Sequence, residues 1–403
     1  MPTTPLTGDQ RFVKNINRTA LLRLLRDESG LSRADLADRS GLTRSTVSLI
    51  TKELIDEGWL TEDDATATGA VGRRPVPLRL DGRRLVLIGA ELGPDSIRAV
   101  AASIHGDVIE VNQAALQSRD PEAACHQLVE MVTTLSSKVT KDGTELLGIG
   151  VGLPGSVDTV SGILQVAPNI GWRNVEVGSK LAQQLRHSGL HDVPVYFQNE
   201  ADLAAVGEAE FGARPVDDPL VYVSCGIGVG AGIILNDALF TGATGSAGEI
   251  GHTTLHVEGR PCSCGRLGCV EAYVGLGAVA AEAECLADGK IDRHRLRDLV
   301  NRRDKSAVAA LEHAGASLGV ALQNVWTTFN PRAIVLGGET IALGGQRLLD
   351  AALTTLEGYA MRAGLPMPVV RVARHGELAT AVGGAAFALH ALLRPYLQAP
   401  LVR

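Results

Sequence analysis

The sequence predicts an α/β protein, with an N-terminal winged helix-turn-helix followed by two related α/β halves that enclose a cleft. Three observations carry this prediction. Two short helical segments joined by a glycine-containing turn lie near the N-terminus, strands alternate with helices from residue 85 onward, and one histidine and three cysteines form a metal-ligand pattern in the second half. We expect one domain over residues 1–82 and a second over residues 83–403.

The composition indicates a globular protein of the cytoplasm. Of its 403 residues, 45% are hydrophobic and 21% are charged, which is ordinary for a folded soluble chain. No basic segment followed by an apolar stretch opens the sequence, so we expect no signal peptide. The uncharged apolar run 219–235 is shorter than the roughly 20 residues that a transmembrane helix needs. We therefore expect no membrane partner.

The N-terminal region has the pattern of a helix-turn-helix. Leucines recur at helical spacing over residues 18–27, and Ser32 to Asp35 resembles a capping box that opens a helix over 33–39. That helix ends at Ser40-Gly41, and Thr43 caps a second helix from Arg44 to about residue 57. Residues 1–84 hold 14 basic and 12 acidic side chains, against 24 and 33 in the rest of the chain. A slightly basic N-terminal region on an acidic body fits binding to double-stranded DNA.

The second helix of this pair divides by face, as a DNA-recognition helix does. Val47, Ile50 and Leu54 would pack inward, which leaves polar side chains near the helix N-terminus for base edges in the major groove. Arg33 and Lys52 are better suited to phosphates, which position a protein on DNA without reading its sequence. The candidates for base contact are Arg44, Ser45, Thr46 and Ser48.

A wing follows the two helices. Trp59-Leu60 and residues 76–80 read as strands, with a small polar loop over 62–70 between them. Arg73 and Arg74 at the wing are candidates for a minor groove, where arginine senses width and negative potential. Such a domain reads one half-site, so we expect a homodimer or homotetramer on a palindromic operator. The alternative is a small helical packing domain with a solvated charged loop.

The body alternates strands and helices in two similar series. The second series begins at residue 220, contains the cysteine-rich loop, and has its helices within 271–329 and beyond residue 336. Two related halves with a cleft between them suit a ligand that draws the halves together. We expect helices at 122–139 and 175–186, and strands at 85–92, 97–103, 108–114, 146–152, 193–198, 220–224, 231–235 and 333–336.

Three cysteines and one histidine form a complete zinc ligand set. His252, Cys262, Cys264 and Cys269 provide the four ligands of a tetrahedral site, which leaves no open position for a catalytic water. We therefore expect a structural Zn²⁺ that shapes the loop over residues 252–269. The alternative is three reduced core thiols, and the glycines and arginine between the cysteines oppose it.

Further motifs accompany this loop: Gly152-Leu-Pro-Gly155, Ala167-Pro-Asn-Ile-Gly-Trp172, Asn199-Glu-Ala201, Gly242 to His252, Cys-x-Cys-Gly-x-x-Gly-Cys-x-Glu over 262–271, Asn330-Pro331 and Leu336-Gly-Gly338. Together they resemble the signature of the ROK family, which contains sugar kinases and sugar-responsive transcriptional regulators. The match extends over essentially the whole chain, with an N-terminal domain like that of the regulators. The resemblance implies a two-lobed, actin-like, ribonuclease-H-like sugar-kinase fold and an effector-binding role for residues 83–403.

The resemblance also implies a sugar site. Carboxylates suit a polyhydroxylated ligand because vicinal hydroxyls donate to both oxygens, and His252 could bind zinc through one ring nitrogen and the sugar through the other. Gly155 would allow the sugar close to the backbone. The positions that the resemblance assigns to the sugar are Gly155, Asn169, Asn199, Glu200, Glu249, His252 and Glu271.

Two departures from the family's kinases predict a sensor that is not an enzyme. The first phosphate loop reads Glu91-Leu-Gly-Pro94-Asp95-Ser: proline removes a backbone donor, and Asp95 places negative charge where phosphate would lie. Glu200 stands where the kinases carry an aspartate general base. The extra methylene of glutamate moves the carboxylate by about 1 Å, and such a displacement can lower the rate on the order of 100-fold. We expect a repressor whose DNA binding a sugar modulates. The alternatives are an active sugar kinase with an accessory DNA-binding domain, and a DNA-binding protein controlled by a protein partner.

Overall fold

The structure is a computed structural model, which describes residues 10–63, 75–141, 143–159, 161–212, 217–287 and 290–394. Arg73 and Arg74, expected at the wing, lie outside the described residues. The chain forms an N-terminal winged helix-turn-helix and two lobes, each built on a five-stranded sheet.

The N-terminal region is a winged helix-turn-helix, as predicted. Its two strands pair antiparallel, with Leu60 opposite Leu80. The first helix begins eight residues before the expected start, and the other two helices match their expected bounds to within one residue. The elements are α1 (Gln10–Asp27), α2 (Arg33–Ser40), α3 (Arg44–Asp56), β1 (Leu60–Glu62) and β2 (Leu78–Leu80).

Local capping fixes the bounds of α2 and α3. The Ser32 N–H donates to the Asp35 carboxylate at 2.9 Å, and the Asp35 N–H donates back to the Ser32 hydroxyl at 3.3 Å, which is a capping box. Gly41 ends α2 in the left-handed region at φ 71°, where a side chain would be strained. The Thr43 hydroxyl then accepts from the Thr46 N–H and starts α3. These contacts explain why sequence alone located both helices.

The first lobe contains a five-stranded sheet in the order β10-β6-β3-β4-β5. Strands β10, β6 and β3 are parallel to one another, and β4 and β5 are each antiparallel to the strand before them in this order. A small sheet of three short strands, absent from the predicted elements, follows β6. The elements are β3 (Leu85–Leu92), β4 (Ser96–Ser103), β5 (Val108–Ala115), α4 (Pro121–Val139), β6 (Glu145–Leu153), β7 (Ser156–Asp158), β8 (Ile163–Ala167), β9 (Trp172–Val175), α5 (Val177–Leu185) and β10 (Val195–Asn199).

The second lobe repeats this plan, with strand order β13-β12-β11-β14-β15. The repeat confirms the prediction of two related halves. The elements are α6 (Glu200–Glu210), β11 (Leu220–Cys225), β12 (Val229–Leu235), β13 (Ala238–Leu239), α7 (Glu271–Val274), α8 (Leu276–Leu286), α9 (Arg293–Asn301), α10 (Lys305–Phe329), β14 (Ala333–Gly337), α11 (Glu339–Ala363), β15 (Val369–Val372) and α12 (Ala379–Leu393).

Two helices, α6 and α12, lie between the sheets and pack on each other. Helix α12 lies on β3 and β6 of the first lobe, whereas α6 lies on β11 and β12 of the second. Glycines bring the two backbones into direct contact: a Cβ on Gly383 would lie 2.1 Å from the Leu203 carbonyl oxygen, and one on Gly207 would lie 3.0 Å from the Gly383 Cα. The lobes therefore meet through helix backbones, with little room for adjustment by side chains.

Helix α12 lies within a segment that has the length and apolar composition of a membrane-spanning helix. The window Gly376–Leu393 is long and apolar enough to cross a membrane, and it is the one such segment among the described residues. Because 72% of the window is buried inside the protein, core packing explains its apolar composition.

The N-terminal region shares apolar packing with the body. Leu22 of α1 and Trp59 lie around the same small cavity as Leu389 and Leu393 of α12. Leu21 and Leu25 of α1 belong to one continuous buried cluster with much of α12. The division at residues 82 and 83 remains a prediction, and the two regions are in close contact in this structure.

The helix contact at Gly383 should tolerate no side chain. Alanine favours a helix over glycine by up to about 1 kcal/mol, but its Cβ would overlap the Leu203 carbonyl. We expect Gly383→Ala to lower the free energy of unfolding by about 1–3 kcal/mol in denaturant titrations. The control is Gly277→Ala in α8, where no atom lies within 4 Å of the new Cβ; it should be neutral or stabilising. Equal stabilities of the two variants would contradict this account.

Candidate functional site

One cavity between the lobes gathers every residue that the resemblance assigned to the sugar. It lies between the C-terminal end of β10, the start of β12, the small sheet and the cysteine-rich loop. Its lining includes Gly155, Asn169, Asn199, Glu200, Glu249, His252 and Glu271. Residues up to 116 positions apart in sequence thus converge on one cleft.

Asn199 joins the strand β10 to the helix α6 at the floor of this cavity. Its Oδ1 accepts from the Ala201 N–H at 2.7 Å and caps the helix, and its Nδ2 donates to the Gly155 carbonyl at 2.8 Å. Gly155 has φ 79°, and a Cβ there would lie 2.1 Å from the Val166 carbonyl oxygen. The side chain of Asn199 therefore holds the cavity wall in shape, a structural role in addition to the sugar contact expected for it.

Carboxyl groups crowd the cavity floor, and their environment favours protonation. Burial raises the pKa of Glu200 to about 8, and the nearby Glu91 and Glu249 add to the effect. Burial also raises the pKa of Glu249, with Glu271 as a second cause and His252 as an opposing one. A neutral Glu200 at pH 7 carries one O–H donor as well as acceptor oxygens.

Asp202 also lines the cavity, and the sequence analysis missed it. The residue is buried in the first turn of α6, and burial, with Glu249 nearby, raises the pKa of its carboxyl well above the usual range. Its position three residues after the Asn199 helix cap was a usable signal, since side chains in the first turn lie close to the cap. The helix itself had not been predicted.

Close backbone packing projects Glu249 and His252 into the cavity. The Gly248 carbonyl accepts from the Ala231 N–H of β12 at 2.7 Å, and a Cβ on Gly248 would lie 1.9 Å from the Ala231 carbonyl oxygen. A Cβ on Gly251 would lie 2.0 Å from the carbonyl oxygen of Val229. The two glycines therefore let the loop lie directly on β12, and the residues beside them face the cleft.

Glu271 ties the cysteine-rich loop to the same strand. Its Oε2 accepts from the Val229 N–H at 3.2 Å, and its Oε1 accepts from the Ser263 hydroxyl at 2.7 Å. The carboxylate lines the cavity while both of its oxygens are hydrogen-bonded to protein. A ligand would meet a carboxylate that is already held in place.

The four predicted metal ligands lie close together, and two of the distances between them are close to the edges of a tetrahedral zinc site. The Sγ of Cys262 lies 3.6 Å from Nδ1 of His252, the Sγ atoms of Cys264 and Cys269 are 3.7 Å apart, and all four ligand atoms lie within 4.8 Å of one another. Zn–S bonds of about 2.3 Å and Zn–N bonds of about 2.0 Å imply edges of about 3.8 Å between sulfurs and about 3.5 Å between sulfur and nitrogen. The cluster can therefore hold a metal ion.

The position of the kinases' first phosphate loop is occupied by ion pairs. Asp95 pairs with Arg119 at 3.1 Å and, across the cleft, with Arg293 of α9 at 2.5 Å, and these arginines lower the pKa of its carboxyl. The negative charge of Asp95 is therefore compensated by two arginines, which the sequence did not indicate. Glu91 pairs with Arg98 at 3.2 Å. Pro94, Asp95 and Glu91 line a second cavity, which adjoins the sugar cavity and shares Glu200 with it.

The candidate DNA-binding face of α3 is open to solvent. Arg44, Ser45, Ser48 and Lys52 are exposed, Thr46 is half-buried, and Val47, Ile50 and Leu54 are buried as expected.

Two features of this surface were not anticipated. Arg33 donates to Glu62 at 2.7 Å and to the Thr51 hydroxyl at 3.1 Å, so a phosphate would have to compete with an internal ion pair. Leu49 is 58% exposed on the same face as Ser45 and Ser48. An exposed leucine among polar side chains suits contact with a thymine methyl group, and Leu49 was not among the residues predicted to contact DNA.

Comparison with known proteins relates both parts of the chain to characterised families. Residues 87–391 match the model of the ROK family, and residues 14–61 match a model of winged helix-turn-helix DNA-binding domains. The chain is 32% identical over 334 residues to the xylose repressor of Bacillus subtilis (strain 168), covering 83% of this chain and 85% of the repressor.

Two solved structures resemble the fold. One is a ROK family transcriptional regulator described as a homologue of the E. coli MLC protein, with TM-score 0.77 and 24% identity over 94% of this chain and 97% of that one. The other is a ROK family glucokinase from Streptomyces griseus in complex with glucose and AMPPNP, with TM-score 0.62 and 26% identity over 75% of this chain and 99% of that one.

Titration of Glu200 should make stability depend on pH. The pKa of Glu200 in the folded protein, about 8, exceeds the usual value of 4.5, so the folded state binds the proton more tightly. The free energy of unfolding should therefore fall as pH rises from about 4.5 to 8. The shift corresponds to at most about 5 kcal/mol, and we expect roughly 1–3 kcal/mol because water in the cleft screens the carboxylate.

Denaturant titrations at several pH values test this expectation. Glu200→Gln, which does not titrate, should lack this part of the pH dependence, whereas Glu200→Asp should retain it. The difference between the wild type and the glutamine variant isolates Glu200 from the neighbouring carboxyls. A glutamine variant with the same pH dependence as the wild type would show that Glu200 is ionised throughout.

Proposed function

The chain belongs to the ROK family, and we propose that it is a sugar-responsive transcriptional repressor of carbohydrate-metabolism genes. The observation that carries the proposal is the convergence of seven candidate sugar residues on one cleft in a chain that also has a winged helix-turn-helix. The two lobes can be open or closed around the cleft, and a sugar that binds the closed state more tightly would shift the protein toward it. This shift would change the affinity of the N-terminal domain for its operator.

The chemistry of the cleft suits a sugar with several free hydroxyls. The carboxylates of Glu249 and Glu271 accept hydrogen bonds, and a neutral Glu200 can also donate one to a sugar oxygen. His252 has Nδ1 toward the cysteine cluster, which leaves Nε2 for the sugar. Gly155 and Asn169 complete the wall of the sugar cavity, and the hydrogen bond from Asn199 to the Gly155 carbonyl holds that wall in place. The same carboxylates disfavour an anionic group at this position.

We propose that the cleft binds sugar without phosphorylating it. A nucleotide would need backbone donors at its phosphates, and Pro94 provides none. It would also have to displace the ion pair between Asp95 and Arg293 that spans the cleft. Glu200, protonated at neutral pH, is poorly prepared to remove a proton from a sugar hydroxyl.

The metal that suits the cysteine cluster is Zn²⁺ in a structural role. Three thiolates and one imidazole are its preferred structural ligands, and they fill a tetrahedral shell. The ion would hold the loop over 252–269 and with it His252 and the Ser263 hydroxyl that donates to Glu271. Metal binding is thus expected to support the sugar site indirectly.

On DNA, Arg44, Ser45, Thr46 and Ser48 would contact base edges, together with Leu49, while Lys52 would contact phosphate. Arg33 would join them only after leaving Glu62. Arg73 and Arg74 remain candidates for the minor groove. A homodimer or homotetramer in the cytoplasm would place two such domains on a palindromic operator.

Removal of the metal should weaken sugar binding and stability together. We expect about one zinc per chain by elemental analysis, and loss of that zinc in Cys269→Ser together with a lower midpoint of thermal unfolding. Cys285→Ser changes an exposed cysteine outside the cluster and serves as the control. Full zinc content in Cys269→Ser would contradict the proposed ligand set.

Thermal unfolding against a panel of sugars tests the effector site. The panel contains D-xylose, D-glucose, N-acetylglucosamine and their phosphates, each with and without ATP–Mg²⁺. A sugar at 100 times its dissociation constant should add about 2.7 kcal/mol to stability. Glu249→Gln should weaken binding of that sugar by roughly 10- to 100-fold, since it removes a charged hydrogen-bond acceptor, whereas Glu258→Gln, on an exposed carboxylate of the loop, should not.

The same sugar should change the affinity for DNA that carries an inverted repeat upstream of the chain's own gene, as measured by fluorescence anisotropy. Sugar-dependent transfer of phosphate from ATP would overturn the sensor proposal in favour of a kinase with an accessory DNA-binding domain. DNA binding that no sugar alters, in a protein that no sugar stabilises, would instead favour control by a protein partner.

A further inference from the structure

A buried group of charged side chains connects the N-terminal domain to both lobes. We call Arg26, Glu210, His390 and Arg394 the junction cluster. Glu210 Oε1 accepts from His390 Nδ1 at 2.6 Å and from Arg394 Nη1 at 2.8 Å, and its Oε2 pairs with Arg26 of α1. Arg394 also donates to Asp237, in the turn after β12, at 2.5 Å, and Asp237 pairs with Arg23 of α1.

The junction cluster is too deeply buried to be an incidental surface contact. The Glu210 and Arg394 side chains are 2% and 1% exposed, and that of Arg26 is 9% exposed. Ion pairs at this depth lose most of their hydration, so each charge depends on its partners for compensation. A movement of one member should therefore be followed by the others.

Two helices link the sugar cleft to this cluster. Helix α6 begins at Asn199 and Glu200 in the cleft and ends at Glu210 in the cluster, about 15 Å away at 1.5 Å per residue. Helix α12 runs in the same sense: Ala379 and Thr380 line the adjoining cavity, which shares Glu200 with the sugar cleft, and His390 and Arg394 lie at the other end of the helix. Arg26 thus lies where the negative ends of two helix dipoles meet.

The strand β12 makes a third connection. Residues at its start, Val229 and Ala231, line the cleft, and the turn that follows it presents Asp237 to Arg394 and Arg23. Asp218 fixes that turn by accepting from the backbone N–H groups of Asn236 and Asp237. Helix α6 and strand β12 therefore have one end in the sugar cleft, helix α12 has one end in the adjoining cavity, and the other end of each element lies near α1.

The two helices belong to different lobes, and this makes the cluster sensitive to closure. Helix α6 packs on the second lobe and α12 on the first, with backbones in contact at Gly207 and Gly383. If the lobes close on a sugar, α6 must slide or rotate against α12, because no flexible side chain lies between these glycines. At the far end of the pair, this motion displaces Glu210 relative to Arg394.

We propose that the junction cluster transmits lobe closure to the DNA-binding domain, with the Arg26–Glu210 ion pair as the contact that α1 follows. The inference rests on the proposed function and names the route by which the sugar acts. Arg26 and Glu210 are positioning residues that touch neither sugar nor DNA. Without the pair, α1 should stay packed on Leu389 and Leu393 and keep only the more exposed Arg23–Asp237 ion pair, which solvent screens and which couples α1 weakly to the cleft.

Arg26→Leu is the decisive variant, because it should remove the coupling without unfolding the protein. Arg26 lies among Leu22, Trp59, Leu389 and Leu393, so a leucine finds apolar neighbours. Glu210 keeps His390 and Arg394 as partners. Arg26→Lys preserves the charge and should restore part of the response. Arg18→Leu, which breaks an ion pair with Glu57 within the N-terminal domain, is the matched control.

Two measurements on the full chain, each with D-xylose, D-glucose or N-acetylglucosamine as the probe, test the proposal. One is the ratio of affinities for the inverted-repeat duplex with and without sugar, and the other is amide hydrogen exchange of residues 20–27. In the wild type and in Arg18→Leu we expect a ratio of at least about fivefold and a change in exchange on sugar binding. In Arg26→Leu the ratio should fall below twofold while the sugar affinity stays within threefold.

Other results would overturn the proposal. An Arg26→Leu variant that retains the full affinity ratio would show that the signal takes another route, and the proposed repressor function would stand. Sugar binding to the wild type that leaves exchange of residues 20–27 unchanged would have the same meaning. A wild type that binds none of the sugars, or whose DNA affinity none of them changes, would overturn both the function and the route, and is recognised without any variant.

Discussion

The direct contact between the backbones of α6 and α12 is the constraint on which the rest of the structure depends. Gly207 and Gly383 allow it, and each helix is in turn pressed onto glycines of a sheet: Gly150 of β6 under α12 and Gly232 of β12 under α6. At these contacts the two lobes therefore have no layer of flexible side chains between them. The cleft lies at one end of the helix pair and α1 at the other, so a change in their mutual position is felt at both.

The cleft itself reflects a balance between burial and charge. Glu200, Asp202 and Glu249 line the cleft, Glu91 lies in the adjoining cavity close to Glu200, and burial is the first cause of the raised pKa of each. Such crowding would be costly if all four were ionised. Protonation relieves part of the cost, and a ligand rich in hydroxyl groups can relieve more, because it offers both donors and acceptors to carboxyls in either state.

Local signals explain what the sequence predicted, and tertiary contacts explain what it missed. The bounds of α2 and α3 follow from caps at Ser32 and Thr43, and the metal cluster follows from cysteine spacing, so both were found. Helix α6 was not predicted because nearly all of its residues are buried. A helix buried on all sides lacks the periodic pattern of polar and apolar residues by which a surface helix is recognised in a sequence. The partners of Arg33 and Asp95 lie 29 and 198 positions away, beyond the reach of any local pattern.

The packing of α1 on the end of α12 predicts a sequence difference between chains that carry this N-terminal region and chains that lack it. Leu389 and Leu393 meet Leu22 and Trp59 of the N-terminal region, and Arg394 is among the most deeply buried side chains of the body. A sugar-binding body that lacked the N-terminal region would leave this helix end in water, where leucines and a paired arginine have no advantage. In a related chain without the N-terminal region, we therefore expect polar side chains at this end of the last helix. These positions offer a way to separate regulators from enzymes by sequence, independent of any change in the phosphate loop.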